Sequence, residues 1–200
     1  MTWNYNVANS ATQYLAAGET AIEKFTVTVD DGKGGTVDQV VEVTITGTND
    51  APVIAGEAFT GSVTELGSNI DVSTISDSDT FTFDDLDLTD AHTVGFVPVG
   101  TTNLGTLSAL SVTDVATGAG DGTVSWTYTV NAADVAYLAE GETRVEVFTV
   151  TVTDDATGVL SDSATVSVTI TGTNDAPVIA GEAFTGSVTE LGSNIDVSTI

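Results

Sequence analysis

The sequence contains no cysteine, which excludes disulfides and thiolate metal sites. It has three basic residues, Lys24, Lys33 and Arg144, against 29 acidic ones, so its formal net charge is −26. A protein that binds duplex nucleic acid displaces counterions with clustered lysine and arginine, and three cations cannot do that. The same shortage argues against anionic membrane surfaces and acidic substrates. His92 is the single histidine, so any nucleophile–histidine triad would have to use it, and it reads as a loop residue rather than a general base. No apolar run reaches the roughly 18 residues of a membrane-spanning helix. The first residues carry no apolar signal region.

What the chain does contain is threonine and valine, 36 and 28 residues respectively, and both favour strands. Its acidity alone would suit a disordered chain. However, 41% apolar residues and a mean hydropathy of +0.21 belong to a chain able to collapse.

An internal repeat dominates the sequence. Residues 43–75 read VTITGTNDAPVIAGEAFTGSVTELGSNIDVSTI, and residues 168–200 read identically, 125 positions later. A weaker copy lies upstream of each. Trp3, Tyr5 and Val7 match Trp126, Tyr128 and Val130. Tyr14-Leu15-Ala16-Ala17-Gly18-Glu19-Thr20 matches Tyr137-Leu138-Ala139-Glu140-Gly141-Glu142-Thr143, and Phe25-Thr26-Val27-Thr28-Val29 matches Phe148-Thr149-Val150-Thr151-Val152. Repeats of this kind mark arrays. Residues 1–50 then form the back part of one unit, 51–175 a complete unit, and 176–200 the truncated start of a further one. The chain reads as a fragment of a longer array. Residues 176–200 are expected to be largely unpacked or to borrow an edge from another chain.

Period-2 alternation is clear in three segments. Val124, Trp126, Tyr128 and Val130 share one face, as do Phe148, Val150 and Val152, and Val166, Val168 and Ile170, with threonine and serine between them. This pattern predicts an antiparallel sheet with one solvated face. Further strands are expected at Trp3, at Pro52–Ile54 with Phe59–Thr64 as a broken first strand, and at Thr80–Phe83, Thr93–Val99 and Thr106–Val112. A helical turn is expected within Ala132–Ala139. About seven short strands per unit indicate an all-β, antiparallel β-sandwich in tandem repeat.

Strand alternation sends the acidic loops to the two poles of such a unit. One pole collects the linker Asn49-Asp50, the loop with Asp84, Asp85, Asp87 and Asp90, the loop with Asp114 and Asp121, and the loop with Asp154 and Asp155. The other collects Glu65, Glu140, Glu142 and the exit linker Asn174-Asp175. Crowded carboxylates repel and raise one another's pKa unless a cation sits among them. Many hard oxygens with neither cysteine nor a histidine cluster suit Ca²⁺ and suit Zn²⁺ poorly. The expected ligands ahead of the complete unit are Asn49, Asp50, Asp85, Asp87 and Asp154, with Glu19 from the preceding unit. At the exit they are Glu65, Glu142, Asn174 and Asp175, completed by loops of the next unit. The competing reading is that these residues are ordinary turn formers, and for Asp114 and Asp121, in a glycine-rich stretch, that reading is preferred.

The run VTITGTNDAPVI, at 43–54 and again at 168–179, closely resembles the joint of VCBS repeats. The run FTFDDLDLTDAH at 81–92 and YLAEGE at 137–142 resemble the other signatures of that repeat. The resemblance covers essentially the whole chain. It implies a cadherin-like or immunoglobulin-like sandwich within a large secreted bacterial RTX-type adhesin or other cell-surface protein, exported by type I secretion and serving adhesion or biofilm formation. A looser likeness to cadherins places their linker Asn-Asp at Asn49-Asp50, their Asp-x-Asp at Asp85 and Asp87, and their early glutamate at Glu65. The cadherin Asp-Arg-Glu motif is missing, and Glu142 is the nearest substitute.

These residues together read as a non-catalytic structural or adhesive module. Its partners are neighbouring repeats and surface glycans or proteins, with neither nucleic acid nor direct membrane insertion. The alternative is a polysaccharide-binding accessory module, which a row of exposed aromatics would favour; Trp126, Tyr128 and Phe148 instead fall on the inward face. A glycosidase needs only two carboxylates at a set separation, and with 29 acids some pair always fits.

Overall fold

The computed structural model describes residues 2–67, 73–113, 122–177, 179, 185–190 and 192. A 3₁₀ turn at Asn9–Ala11 precedes a long hairpin of β1 (Thr20–Asp30) and β2 (Thr36–Thr46), which forms a two-stranded sheet of its own. The rest is a sandwich of two four-stranded sheets. One sheet has the order β3 (Val53–Ile54), β5 (Thr74–Asp84), β8 (Gly122–Asn131), β7 (Thr106–Thr113). The other has the order β4 (Ala58–Thr64), β10 (Ser161–Thr171), β9 (Thr143–Asp154), β6 (His92–Pro98). A short α-helical turn, α1 (Ala132–Val135), begins where the Asn131 side chain accepts the Ala133 amide at 3.1 Å.

Alternation sets the core. β8, β9 and β10 bury every second residue: Val124, Trp126, Tyr128, Val150, Val152, Val166, Val168 and Ile170 have no exposed surface. Each such aliphatic or aromatic side chain contributes about 1.5–3 kcal/mol. The threonines between them face water, as the period-2 pattern requires.

Three sequence expectations need correction. The first strand is not wholly antiparallel: β4 runs parallel to β10, with Thr60 opposite Ser167 and Thr64 opposite Thr171. It splits from β3, which stays antiparallel to β5, so the broken strand serves both sheets. Next, β5 starts at Thr74 rather than Thr80. Its early residues Ser76, Asp77, Ser78 and Asp79 hide the strand from a hydrophobic pattern, yet the strand pairs with β8 along its whole length, from Thr74↔Asn131 to Phe83↔Gly122. Finally, residues 2–8 form no strand although Trp3–Val7 matches part of β8. β8 is flanked by β5 and β7, and among the described residues no strand flanks residues 2–8, so propensity alone does not make a strand.

A buried polar knot closes the sandwich next to the core. Glu146 is 1% exposed and accepts four hydrogen bonds: from the Leu104 and Gly105 amides at 2.7 and 3.0 Å, the Tyr128 hydroxyl at 2.9 Å and the Arg144 Nε at 3.1 Å. Burial alone would raise its pKa, but these four donors hold it below the ordinary glutamate value. Arg144 also donates to the Thr102 carbonyl. Removing the carboxylate orphans four donors, so Glu146→Ala should cost about 3–5 kcal/mol.

Gly61 marks a close approach of β4 to the core. A Cβ there would stand 2.9 Å from the Trp126 ring and 2.9 Å from Asp77 Oδ2. Gly61→Val should destabilise the chain by about 1–3 kcal/mol. Urea titration checks both variants, and a wild-type midpoint for either would contradict this packing.

Candidate functional site at the acidic poles

β3 enters, β5 and β9 end, and β6 and β10 begin at one pole, so the linker, the β5–β6 loop and the β9–β10 loop meet there. The segment ahead of the linker is fixed by a turn that the chain builds twice. Gly18 and Gly141 have φ of 80° and 76°, the left-handed region, and each leads into a glutamate that closes the turn. Glu19 Oε2 accepts the Ala16 amide at 3.2 Å, and Glu142 Oε2 accepts the Ala139 amide at 3.0 Å. The repeated Thr-Gly-Thr-Asn-Asp then crosses this turn. A Cβ on Gly47 would lie 2.1 Å from the Leu15 carbonyl, and one on Gly172 would lie 2.4 Å from the Ala139 carbonyl.

The linker clamps onto the sandwich through its two polar residues. Asn49 Nδ2 donates to Asp154 Oδ2 at 3.0 Å, and the Asp50 amide donates to Asp87 Oδ2 at 2.7 Å. Asp154 is further held by the Ala156 and Leu160 amides. Asp85 accepts the Asp87 amide at 3.0 Å and stands 2.9 Å from His92 Nε2. His92 opens β6, with its ring 4.8 Å from that of Phe83, so it is an orienting partner of the acidic loop. Asp155 Oδ1 accepts the Ala91 amide at 2.9 Å.

Asp87, Asp154 and Asp90 are buried, and among the described residues three oxygens at this pole lack a hydrogen-bond partner: Asn49 Oδ1, Asp87 Oδ1 and Asp90 Oδ2. Burial raises the pKa of Asp90 to about 6, assisted by the charges of Asp87, Asp85, Asp154 and Asp155. Asp87 is raised for the same leading reason, with Asp50, Asp85 and Asp154 adding to it. Asp90 was not among the expected ligands, although its place three residues after Asp87 in an acidic loop was the available signal. Glu19, expected here, is engaged in its own turn.

At the other pole Glu65 is 1% exposed. Its Oε2 accepts the Thr173 amide at 3.0 Å and the Thr173 hydroxyl at 2.7 Å, while Oε1 has no partner among the described residues. The Glu65 amide donates to the Thr171 carbonyl, and the Gly172 amide to the Glu142 carbonyl. Glu65, Glu142 and the exit linker with Asn174 and Asp175 are therefore neighbours along the end of β10. Among the described residues no group of three or more histidine or acidic side chains already has the spacing of a metal cage. The loop residues Asp114 and Asp121 lie outside the described residues, as do most of 176–200.

No protein-family model matches the chain, and no curated protein sequence matches it. Among solved structures, it is similar to a mouse clustered protocadherin fragment, PcdhgC3 EC1-3, at 11% identity and a TM-score of 0.47, covering 84% of this chain and 47% of that one. It is similar to CfaE, the adhesive subunit of the CFA/I fimbria of enterotoxigenic Escherichia coli, at 10% identity and 0.44, covering 80% and 59%. Human mucin-like protocadherin EC1-2 matches at 12% identity and 0.41, covering 86% and 74%. The chain spans about half the length of the first two.

A carboxyl whose folded pKa lies above its unfolded value near 3.9 favours the fold only while protonated. Stability from Asp90 is therefore full below about pH 4 and falls as pH rises through about 6. In metal-free buffer, Asp90→Asn should melt higher than wild type at neutral pH, by something on the order of 2 kcal/mol, and should match it near pH 4. Thermal melts across that range check this, and parallel profiles for the two proteins would contradict it.

Proposed function

We propose that the chain is a non-catalytic structural and adhesive segment of a VCBS-type repeat array on a bacterial exterior, and that Ca²⁺ bound at the acidic poles sets the stiffness of the joints. The observation that carries the calcium reading is the set of partnerless buried oxygens on Asn49, Asp87 and Asp90, gathered where the linker meets the sandwich. Buried polar atoms are normally satisfied, so oxygens left bare beside raised carboxyl pKa values fit a hard cation. Asn49, Asp50, Asp87, Asp90 and Asp154 would hold the ion at this pole, and Glu65, Glu142, Asn174 and Asp175 at the other. When bound, the ion supplies positive charge and oxygen coordination that the three basic side chains cannot.

The physical consequence is mechanical. The linker is already tied to the sandwich by Asn49–Asp154 and Asp50–Asp87 contacts. Neutralising the surrounding charge removes the repulsion that opposes them and turns a hinge into a rigid joint. An exported array without disulfides gains its stiffness this way after it leaves a low-calcium cytosol. Adhesion, biofilm formation and type I export follow from the resemblance to VCBS arrays.

Calcium at a hundredfold excess over its dissociation constant should stabilise the chain by about 2.7 kcal/mol, and EDTA should reverse the shift. Asp87→Asn should lose most of it. Melting and dynamic light scattering with and without chelator check this; a melting temperature and hydrodynamic radius that both ignore EDTA would end the calcium reading.

A further inference from the structure

Among the described residues the sandwich has four edge strands, and three of them are blunted. β3 is two residues long. β4 is held from its free side by β5, whose Asp77 Oδ2 accepts the Ser62 amide at 2.7 Å. β7 carries a bulge between Ala109 and Ser111. Short length, inward charge and bulges keep edges from pairing with other chains. β6 has none of these, and its one proline, Pro98, is its last residue. It pairs with β9 in unbroken register from His92↔Asp154 to Pro98↔Phe148, and among the described residues no strand lies on its other side.

The ladder fixes which backbone groups face outward. The Val99 amide donates to the Val147 carbonyl at 2.8 Å. Alternation then turns the backbone groups of Gly95 and Val97 toward β9 and those of Val94 and Phe96 away from it. The side chains of Val94 and Phe96 pack against the core but are only half-buried, whereas their cross-strand partners Val152 and Val150 have no exposed surface. On the solvent face Val97 is exposed.

Charge selects the occupant. With a net charge of −26, a second copy of this chain is repelled from most of its surface. Residues 93–113, which hold β6, β7 and their connection, contain no charged side chain. Asp77 and Asp79 stand toward the opposite side, on β5. The β6 side therefore lets two acidic copies meet without setting carboxylates against one another. The strands of this sandwich all lie between Val53 and Thr171. In an array a further repeat joins at a pole, along the strands, and leaves this side as it is.

We infer that two copies of this chain pair β6 to β6, antiparallel, about a two-fold axis at Gly95, joining two four-stranded sheets into one. Val94 of each copy then stands opposite Phe96 of the other, exchanges backbone hydrogen bonds with it and covers its half-buried side chain. Val97 lies opposite Thr93, and the two Gly95 residues meet on the axis. Because one surface is used twice, the contact closes as a dimer. A seven-residue edge buries little area, so a single contact is weak and gains strength by repetition along an array. This lateral contact goes beyond the joint reading and does not depend on a cation at the poles.

Sedimentation velocity of the full chain in EDTA, up to about 1 mM, tests it together with residue-resolved amide exchange. Wild type should pass from monomer to dimer and no further. The dimer should strengthen between about 0.05 and 0.5 M NaCl, as salt screens the repulsion of two acidic copies. The Val94 and Phe96 amides should exchange more slowly as concentration rises, with Gly95 and Val97, already bonded to β9, as the internal reference. Gly95→Glu should stay monomeric and keep the wild-type melt, because a side chain there meets nothing within 4 Å in the single chain and meets a like charge across the axis. A wild-type chain that remains monomeric overturns the inference, as does open-ended association or a dimer that salt weakens. Dimerisation without slower exchange at Val94 and Phe96 places the contact elsewhere and overturns it too, as does a Gly95→Glu chain that dimerises like wild type.

Discussion

Carboxylates buried where the linker meets the sandwich, without enough positive charge, are the constraint on which the rest of this molecule turns. The fold brings Asp87, Asp90 and Asp154 out of water at the end of β5 and β9, where solvent can no longer screen them. Amides from the linker and the loops satisfy some of their oxygens, and His92 sits on Asp85. The remainder is left bare, and the raised pKa of Asp90 expresses the same imbalance. Glu146 is the internal contrast. It is equally buried, but four donors surround it, and its pKa falls instead. Glu146 is fully satisfied within the fold, whereas the carboxylates at the pole are satisfied only in part.

The repeat turns this local fact into an architectural one. The Leu-Ala-x-Gly-Glu turn, the glycine that crosses it and the Asn-Asp that follows are built twice, with matching contacts at residues 14–50 and 137–175. The linker leaves one turn and is held by the β5–β6 and β9–β10 loops. Joint geometry is therefore coded in short contiguous motifs, while the sandwich between them needs only alternation and small residues at points of close approach.

Much of the fold was legible in the sequence for that reason. The inward faces of β8, β9 and β10 follow directly from alternation, and the polar placement of the acidic loops follows from strand count. What alternation could not show was pairing partners. The early half of β5 is serine and aspartate and is held as a strand by β8, not by its own propensity. Trp3–Val7 has the pattern of a strand and, among the described residues, lacks the neighbours that make one. The parallel step of β4 onto β10 depends on Gly61 meeting Trp126 across the core, a contact between distant segments. At the acidic pole, burial picks out residues differently from spacing. Asp90 joins the bare set, while Glu19 and Asp85 already have partners. Glu146 was passed over because a glutamate at an inward strand position announces nothing about the donors that will surround it.

The central claim is that a divalent cation belongs among the bare oxygens where the linker meets the sandwich. A crystal structure from calcium-containing solution, with anomalous scattering data, tests it most directly. The expected result is an anomalous peak about 2.3–2.6 Å from Asn49 Oδ1 and Asp87 Oδ1. Water alone at that position, hydrogen-bonded to the same oxygens, would contradict it.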